Sequence, residues 1–230
     1  MGKAIVLCSG GLDSVVAAHF IKRKKGYQEL KIIFFDYGQK SIAQEEKSAR
    51  KCAKDLGSEF KKISLRYLGE ISNSLINKKG RIKKLKKEDL IDTRDESKKW
   101  YVPCRNLVFL SYGLAIAEDL FLSKNKKFDI IAGFKNEGLD PFPDQSKEFL
   151  SNINKIAKKN CMVKLKVKAP LIEKDKEDIV ALGLDLGIDL SRTWSCYLGK
   201  KKQCGNCLAC MLRKEGFYWA GVKDKTKYLK

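Results

Sequence analysis

Histidine is nearly absent: His19 is the only one in 230 residues. A Cys–His nucleophile pair would have to use that single imidazole, and no other histidine can serve as a general base. No apolar stretch is long enough to cross a bilayer, and no charged n-region with a short apolar core opens the chain. The expectation is a soluble, cytoplasmic protein with no membrane partner. Missing too is the Gly-Lys-Ser/Thr end of a Walker A loop, so no lysine of that kind reaches a γ-phosphate. Acidic residues are in deficit, 28 Asp and Glu against 48 Lys and Arg, for a net charge of +20. Basic surfaces attract phosphate, yet the lysines are spread along the chain on what read as solvated helix faces. Only Lys78 to Lys87 is dense, and that run fits a lysine-rich proteome, a mobile loop, or a tRNA or DNA contact. The charge alone does not assign a nucleic-acid partner.

What is present begins with Cys8-Ser9-Gly10-Gly11-Leu12-Asp13-Ser14. The run Lys3 to Leu7 before it reads as a buried parallel strand, and Ser14 to Ile21 after it as a helix. Two glycines let the backbone turn tightly and approach a ligand. Unpaired N–H groups and the positive dipole end at the helix start favour an anion. Ser9 and Ser14 add hydroxyls, and Asp13 is placed to cap the helix or to hold a metal bound to phosphate.

Strand and helix then alternate. Glu29 to Phe35 reads as a strand, Ser41 to Leu56 as a helix stopped by Gly57, and Glu59 to Leu65 as a third strand. This pattern predicts a parallel α/β sheet with helices on both faces and ligands beyond the carboxyl ends of the strands. Asp36 lies at such an end, facing adenosine or capping the following turn. Residues 66–100 read as an inserted lid or irregular excursion. Pro103 opens a long apolar helix, Asn106 to Phe121, expected in the core. A guanidinium at a helix start opposes the dipole, which points to an anionic ligand for Arg105. Phe128 to Gly133 reads as a strand leading to residues 136–144, where Asp140, Phe142 and Asp144 suit either substrate recognition or a proline-built turn. A helix over Lys147 to Lys159, a last strand over Met162 to Val167 and a helix over Asp175 to Leu186 complete the body.

Eight cysteines in a cytosolic chain point to metal or reactive thiols. Cys196, Cys204, Cys207 and Cys210 are separated by seven, two and two residues, which matches a closed tetrahedral zinc site. An iron–sulfur cluster takes four thiolates as well. Cys8, Cys52 and Cys161 read as packed thiols.

The loop resembles the Ser-Gly-Gly-x-Asp-Ser signature of the PP-loop ATP pyrophosphatases. Further motifs follow in family order: Phe35-Asp36-Tyr37-Gly38-Gln39, Val102-Pro103-Cys104-Arg105-Asn106, Phe142-Pro143-Asp144, Thr193-Trp194-Ser195-Cys196-Tyr197 and the Cys204 to Arg213 knuckle. Together they resemble the 7-cyano-7-deazaguanine (preQ0) synthase family of queuosine and archaeosine biosynthesis over nearly the whole chain. Two departures stand out: Cys104 replaces the usual glycine, and no proline follows Asp224.

The resemblance implies a Rossmann-like, adenine nucleotide α-hydrolase-like PP-loop domain over residues 1–190 and a zinc-binding segment over 191–230. It implies a Mg-ATP site formed by Leu7, Cys8, Ser9, Gly10, Gly11, Leu12, Asp13, Ser14, Val15, Val16 and Ala17 with Asp36, Tyr37 and Gln39. Asp13, Ser14 and Arg105 would be catalytic, and Arg105, Asn106, Asp140, Phe142 and Asp144 would bind substrate. The implied reaction is ATP-dependent ligation of 7-carboxy-7-deazaguanine with ammonia, through an amide, to the nitrile, in a homodimer. With one histidine and no evident glutaminase unit, free ammonia is the expected nitrogen source. Two other readings compete: a PP-loop tRNA-modifying thiolase or lysidine-type ligase, for which Cys104 would be the cysteine to watch, and a non-catalytic zinc-bearing nucleic-acid-binding regulator.

Overall fold

Short apolar segments ending in tight turns pair in register here because their neighbours cover both faces. The computed structural model describes residues 2–135 and 142–229. Its strands are β1 (Gly2–Leu7), β2 (Tyr27–Asp36), β3 (Glu59–Ser64), β4 (Asp129–Ala132) and β5 (Val167–Lys168). They form one parallel sheet in the order β3-β2-β1-β4-β5. Leu7 is registered against Ile33 on one side and Ala132 on the other. The order reverses beside β1, and such a switch point opens a crevice at the carboxyl ends.

Side-chain alternation along β1 decides what packs where. Ala4 and Val6 face α1 (Leu12–Lys24) and α2 (Ile42–Asp55), among Val15, Ala18, Ala49 and Cys52. Ile5 faces α5 (Arg105–Lys124) and α6 (Lys147–Asn160), among Leu110, Leu114, Ile153 and Ala157. A third cluster joins α1 to α7 (Lys176–Asp185) and α8 (Leu208–Trp219) through Val16, Ala17, Ile179, Val180 and Phe217.

Several expectations are corrected. Helix α5 is not immersed in the core: Leu110, Gly113, Leu114, Ala117 and Leu120 are buried, while Tyr112 and Leu122 are exposed. With 20 residues and a mean hydropathy of 1.3, it is the one described helix long and apolar enough by composition to cross a membrane. Here its small-residue side lies on the sheet, with Gly113 set so close that an added Cβ would sit 3.1 Å from Ile130 Cγ2. The strand expected over Met162 to Val167 shrinks to Val167–Lys168, because β4 is only four residues long and offers no further ladder partners. The stretch 66–100 is irregular as expected, holding α3 (Arg66–Ile71) and α4 (Arg94–Lys98). It is also packed, since Ile76, Leu85 and Trp100 belong to the core. Trp100 lies 4.7 Å from the Tyr197 ring, and Leu85 N donates to Asn206 O at 2.9 Å, so the excursion is fastened to the cysteine segment.

Candidate active site

The turn after β1 is held from behind. Gly10 has φ +78°, and a Cβ there would lie 2.3 Å from Glu45 O, so glycine is required on two counts. Its carbonyl accepts from Ser48 Oγ at 2.6 Å and from Trp194 N at 2.9 Å. Helix α1 starts at Leu12, two residues earlier than expected, with Gly11 in the N-cap position and no side chain capping it. Its first N–H groups are therefore left for a ligand. Ser14 Oγ donates to Gly11 O at 3.1 Å and lies 3.2 Å from Ser9 Oγ. Asp13 does not cap the helix: both of its oxygens accept from Lys176 Nζ, at 2.9 and 2.8 Å.

A cavity of about 280 Å³ opens in front of this turn. Leu7, Cys8, Ser9, Gly11, Leu12, Asp13 and Ser14 line one side, and Tyr37, Gln39, Arg105, Asn106 and Phe142 contribute to the rest. Other sequence candidates lie elsewhere. Val15, Val16 and Ala17 are buried in the packing of α1, because the side chains after the first turn of a helix covered on two sides face its neighbours. Asp36 is buried beneath the wall and caps the following turn: its Oδ1 accepts from Gly38 N at 3.2 Å and its Oδ2 from Arg66 Nε at 3.2 Å. Asp140 lies outside the described residues.

Helix α5 begins unusually. Its N-cap, Cys104, has φ +54° and gives no side-chain cap. Glycine adopts this left-handed position more readily than cysteine does. Asp144 supplies the missing cap from a distant segment, accepting from Asn106 N at 3.0 Å, while its own carbonyl accepts from Asn106 Nδ2 at 3.0 Å. Asp144 and Asn106 thus hold each other and set the helix start. Arg105 points its guanidinium toward Tyr37, 5.7 Å from the ring centre, with Nη1 3.5 Å from the hydroxyl. Burial raises the Tyr37 hydroxyl to about 12, so it stays protonated. Phe142 stacks on Tyr101 at 5.2 Å and walls the cavity.

Three cavity residues escaped sequence reasoning. Lys176 stands at the first position of α7, against the dipole, so the argument that singled out Arg105 applies to it equally. Glu45 is half-buried, accepts from Ser41 Oγ at 2.5 Å and Gln39 Nε2 at 3.1 Å, and desolvation pushes its carboxyl up. Lys135, just past β4, also lines the cavity. Nothing local in the sequence marks these last two. His19 takes a packed role: it is buried and uncharged, with its pKa lowered to about 4 by desolvation.

The four expected cysteines converge. Their Sγ atoms all lie within 4.8 Å of one another, and all four residues are buried. Sulfurs 2.3 Å from a tetrahedral zinc are separated by roughly 3.8 Å, and Cys204 Sγ lies 3.9 Å from Cys210 Sγ. Backbone N–H groups aim at the sulfurs, from Cys204 to Cys196 Sγ at 3.3 Å and from Cys207 to Cys204 Sγ at 3.2 Å, as thiolates require. The donor set fits a structural metal with no open position. Arg213 fastens the segment, donating to Asp224 Oδ2 at 2.9 Å, Thr193 Oγ1 at 2.6 Å and Leu190 O at 2.7 Å.

Comparison with known proteins follows the same lines. The family described as "Queuosine biosynthesis protein QueC" matches residues 3–221. The 7-cyano-7-deazaguanine synthase of Methanothermobacter thermautotrophicus is 35% identical over 227 residues, covering 98% of this chain and 99% of that protein. The protein of the same name from Methanobrevibacter smithii is 38% identical over 229 residues, covering 98% and 97%. A 4-thiouridine synthetase in complex with RNA and ATP superposes with a TM-score of 0.49 at 16% identity, over 94% of this chain and 53% of that one.

Proposed function

Because the chain belongs to the family of the queuosine biosynthesis protein QueC, we propose that it is an ATP-dependent ligase that converts 7-carboxy-7-deazaguanine and ammonia to the nitrile 7-cyano-7-deazaguanine. One observation carries the chemistry: an uncapped helix start and an arginine that opposes its own helix dipole face a single cavity. Such a site can hold a polyphosphate and a carboxylate together.

A carboxylate resists ammonia because it is already anionic and would have to expel hydroxide or oxide. Attack of a carboxylate oxygen on the α-phosphorus of ATP releases pyrophosphate and removes that charge. Ammonia then displaces AMP to give the amide. The amide oxygen attacks a second ATP, and loss of AMP and a proton leaves the nitrile. The N–H groups of Leu12 and Asp13 and the hydroxyls of Ser9 and Ser14 would cradle the β- and γ-phosphates as pyrophosphate leaves. Lys176, paired with Asp13 at the edge of the cavity, would add positive charge beside the same phosphates. Asp13 would hold the magnesium of Mg-ATP, whose charge lowers the repulsion between phosphates and nucleophile. Arg105 would hold an anionic part of the acid or of the acyl adenylate, with Tyr37 as its neutral support. With His19 buried on the far side of α1, rate acceleration rests on positioning and electrostatics.

Zinc would be held by Cys196, Cys204, Cys207 and Cys210 in a structural role. We also place the enzyme in the cytoplasm as a homodimer supplied with free ammonia. Mass spectrometry of the product formed from ATP, ammonia and the acid tests the reading. A nitrile product with two AMP per turnover is expected. ATP consumption stimulated by tRNA but not by the acid would overturn it in favour of a tRNA-modifying enzyme.

A further inference from the structure

Lys135 lies three residues beyond the end of β4 and is only 9% exposed, yet it lines the cavity. No carboxylate and no hydrogen-bond acceptor among the described residues meets its ammonium. The other cations of the cavity are engaged: Lys176 with Asp13, Arg213 with Asp224, and Arg105 at the Tyr37 hydroxyl. The side chain is largely covered, but its ammonium is not among the enclosed polar atoms, so its tip is open to the cavity it lines. In a cavity built for anions, a ligand is the natural partner for it.

The position of Lys135 indicates which one. A Cβ on Gly133 would lie 2.4 Å from Ser14 Cα, so the end of β4 runs directly against the phosphate turn. Lys135 is two residues further on and lines the same cavity as the turn and Arg105. The phosphates already have the start of α1, two hydroxyls and Lys176. The acid's carboxylate has to approach a phosphorus surrounded by negative oxygens, and it is the anion for which the cavity otherwise offers only Arg105. Phe134, Phe109 and Phe142 also line the cavity, and apolar walls strengthen an ion pair formed inside it.

Resting on the nitrile-forming reaction proposed above, we infer that Lys135 binds the carboxylate of the acid beside the α-phosphate and so sets the enzyme's preference for acid over amide. The reaction passes two substrates through one site, first an anion and then a neutral amide. Lys135 acts on the first alone. It is a positioning and specificity residue; no bond to it forms or breaks.

The test compares steady-state turnover of the acid and of the synthetic amide by wild type, Lys135→Met and Lys135→Arg. Loss of one charge-assisted contact lowers kcat/KM for the acid in Lys135→Met by about tenfold to a hundredfold, mainly through KM. Turnover of the amide changes by no more than about twofold, and Lys135→Arg recovers part of the acid's KM. Lys135→Gln, which keeps a polar tip in the cavity, runs in parallel in case the Met variant folds poorly. Equal losses on acid and amide, or an unchanged KM for the acid, overturn the role of Lys135. Wild-type protein that turns over neither compound overturns the nitrile-forming reading itself, and this inference with it.

Discussion

Two helix starts face the same cavity, and they are built in opposite ways. The start of α1 has no side-chain cap and carries an acid, Asp13, in its first turn. The start of α5 is capped from 38 residues away by Asp144 and carries Arg105. An open start presents backbone N–H groups and suits phosphate. A closed start has no such groups to offer, so the anion there has to be met by a side chain. The first corner is one contiguous turn; the second is assembled from segments that meet only in the fold.

The contrast can be broken most strongly from behind the first corner. Trp194 N holds Gly10 O, which ties the phosphate turn to the cysteine segment. Cys207→Ser is expected to lose the metal and to weaken ATP binding at least tenfold, since a structural site of this kind contributes folding energy directly. Metal analysis and nucleotide titration of the purified variant check this, and full metal content would reject the four-thiolate site. Next in size is the effect of pH through His19 on α1. Its pKa is about 4 in the fold, below the 6.5 of a free imidazole, so the unfolded chain binds the extra proton between those values. The associated stability is whole above pH 6.5 and falls as pH drops toward 4, by about 3 kcal/mol. Urea denaturation of wild type and His19→Phe across that window should show a shallower slope for the variant.

Gly10→Ala should destabilise the fold by about 2 kcal/mol or more and lose ATP, because the added methyl meets backbone at an angle L-residues avoid. Unchanged ATP affinity would mean that the turn is less rigid than its contacts imply. At the second corner, Asp144→Ala should remove about 1 kcal/mol through the lost cap and raise the KM of the acid more than that of ATP. If both constants moved together, the two corners would not be separate sites. The smallest change should be a gain: Cys104→Gly relieves a left-handed cysteine, and thermal melting should register about 0.5–1 kcal/mol of added stability.

These corners also mark where the sequence could be read. The strand–turn–helix was legible because a strand, two glycines and a helix stand side by side, and the cysteine cluster because its spacing suits a tetrahedron. Arg105 was legible from its quarrel with a dipole, and Lys176 carries the same signal at the start of α7. For Asp144 the acidic, proline-rich surroundings fit either a ligand contact or a turn, and in the fold its side chain caps α5. Asp36 carries the same ambiguity, and in the fold its side chain accepts from Gly38 N. Glu45 and Lys135 carry no local mark, because their meaning lies in lining the cavity, and a cavity is a property of the packed chain. Val15, Val16 and Ala17 follow the phosphate turn in sequence, but the 3.6-residue repeat carries their side chains into packing on both flanks of α1.

The central claim is that the acid is adenylated by ATP seated at the first corner. Supplying the acid with both carboxylate oxygens as ¹⁸O, together with ATP and ammonia, tests it most directly. The account predicts one labelled oxygen in each of the two AMP molecules formed per nitrile. Label in inorganic phosphate, with ADP as the nucleotide product, would contradict it.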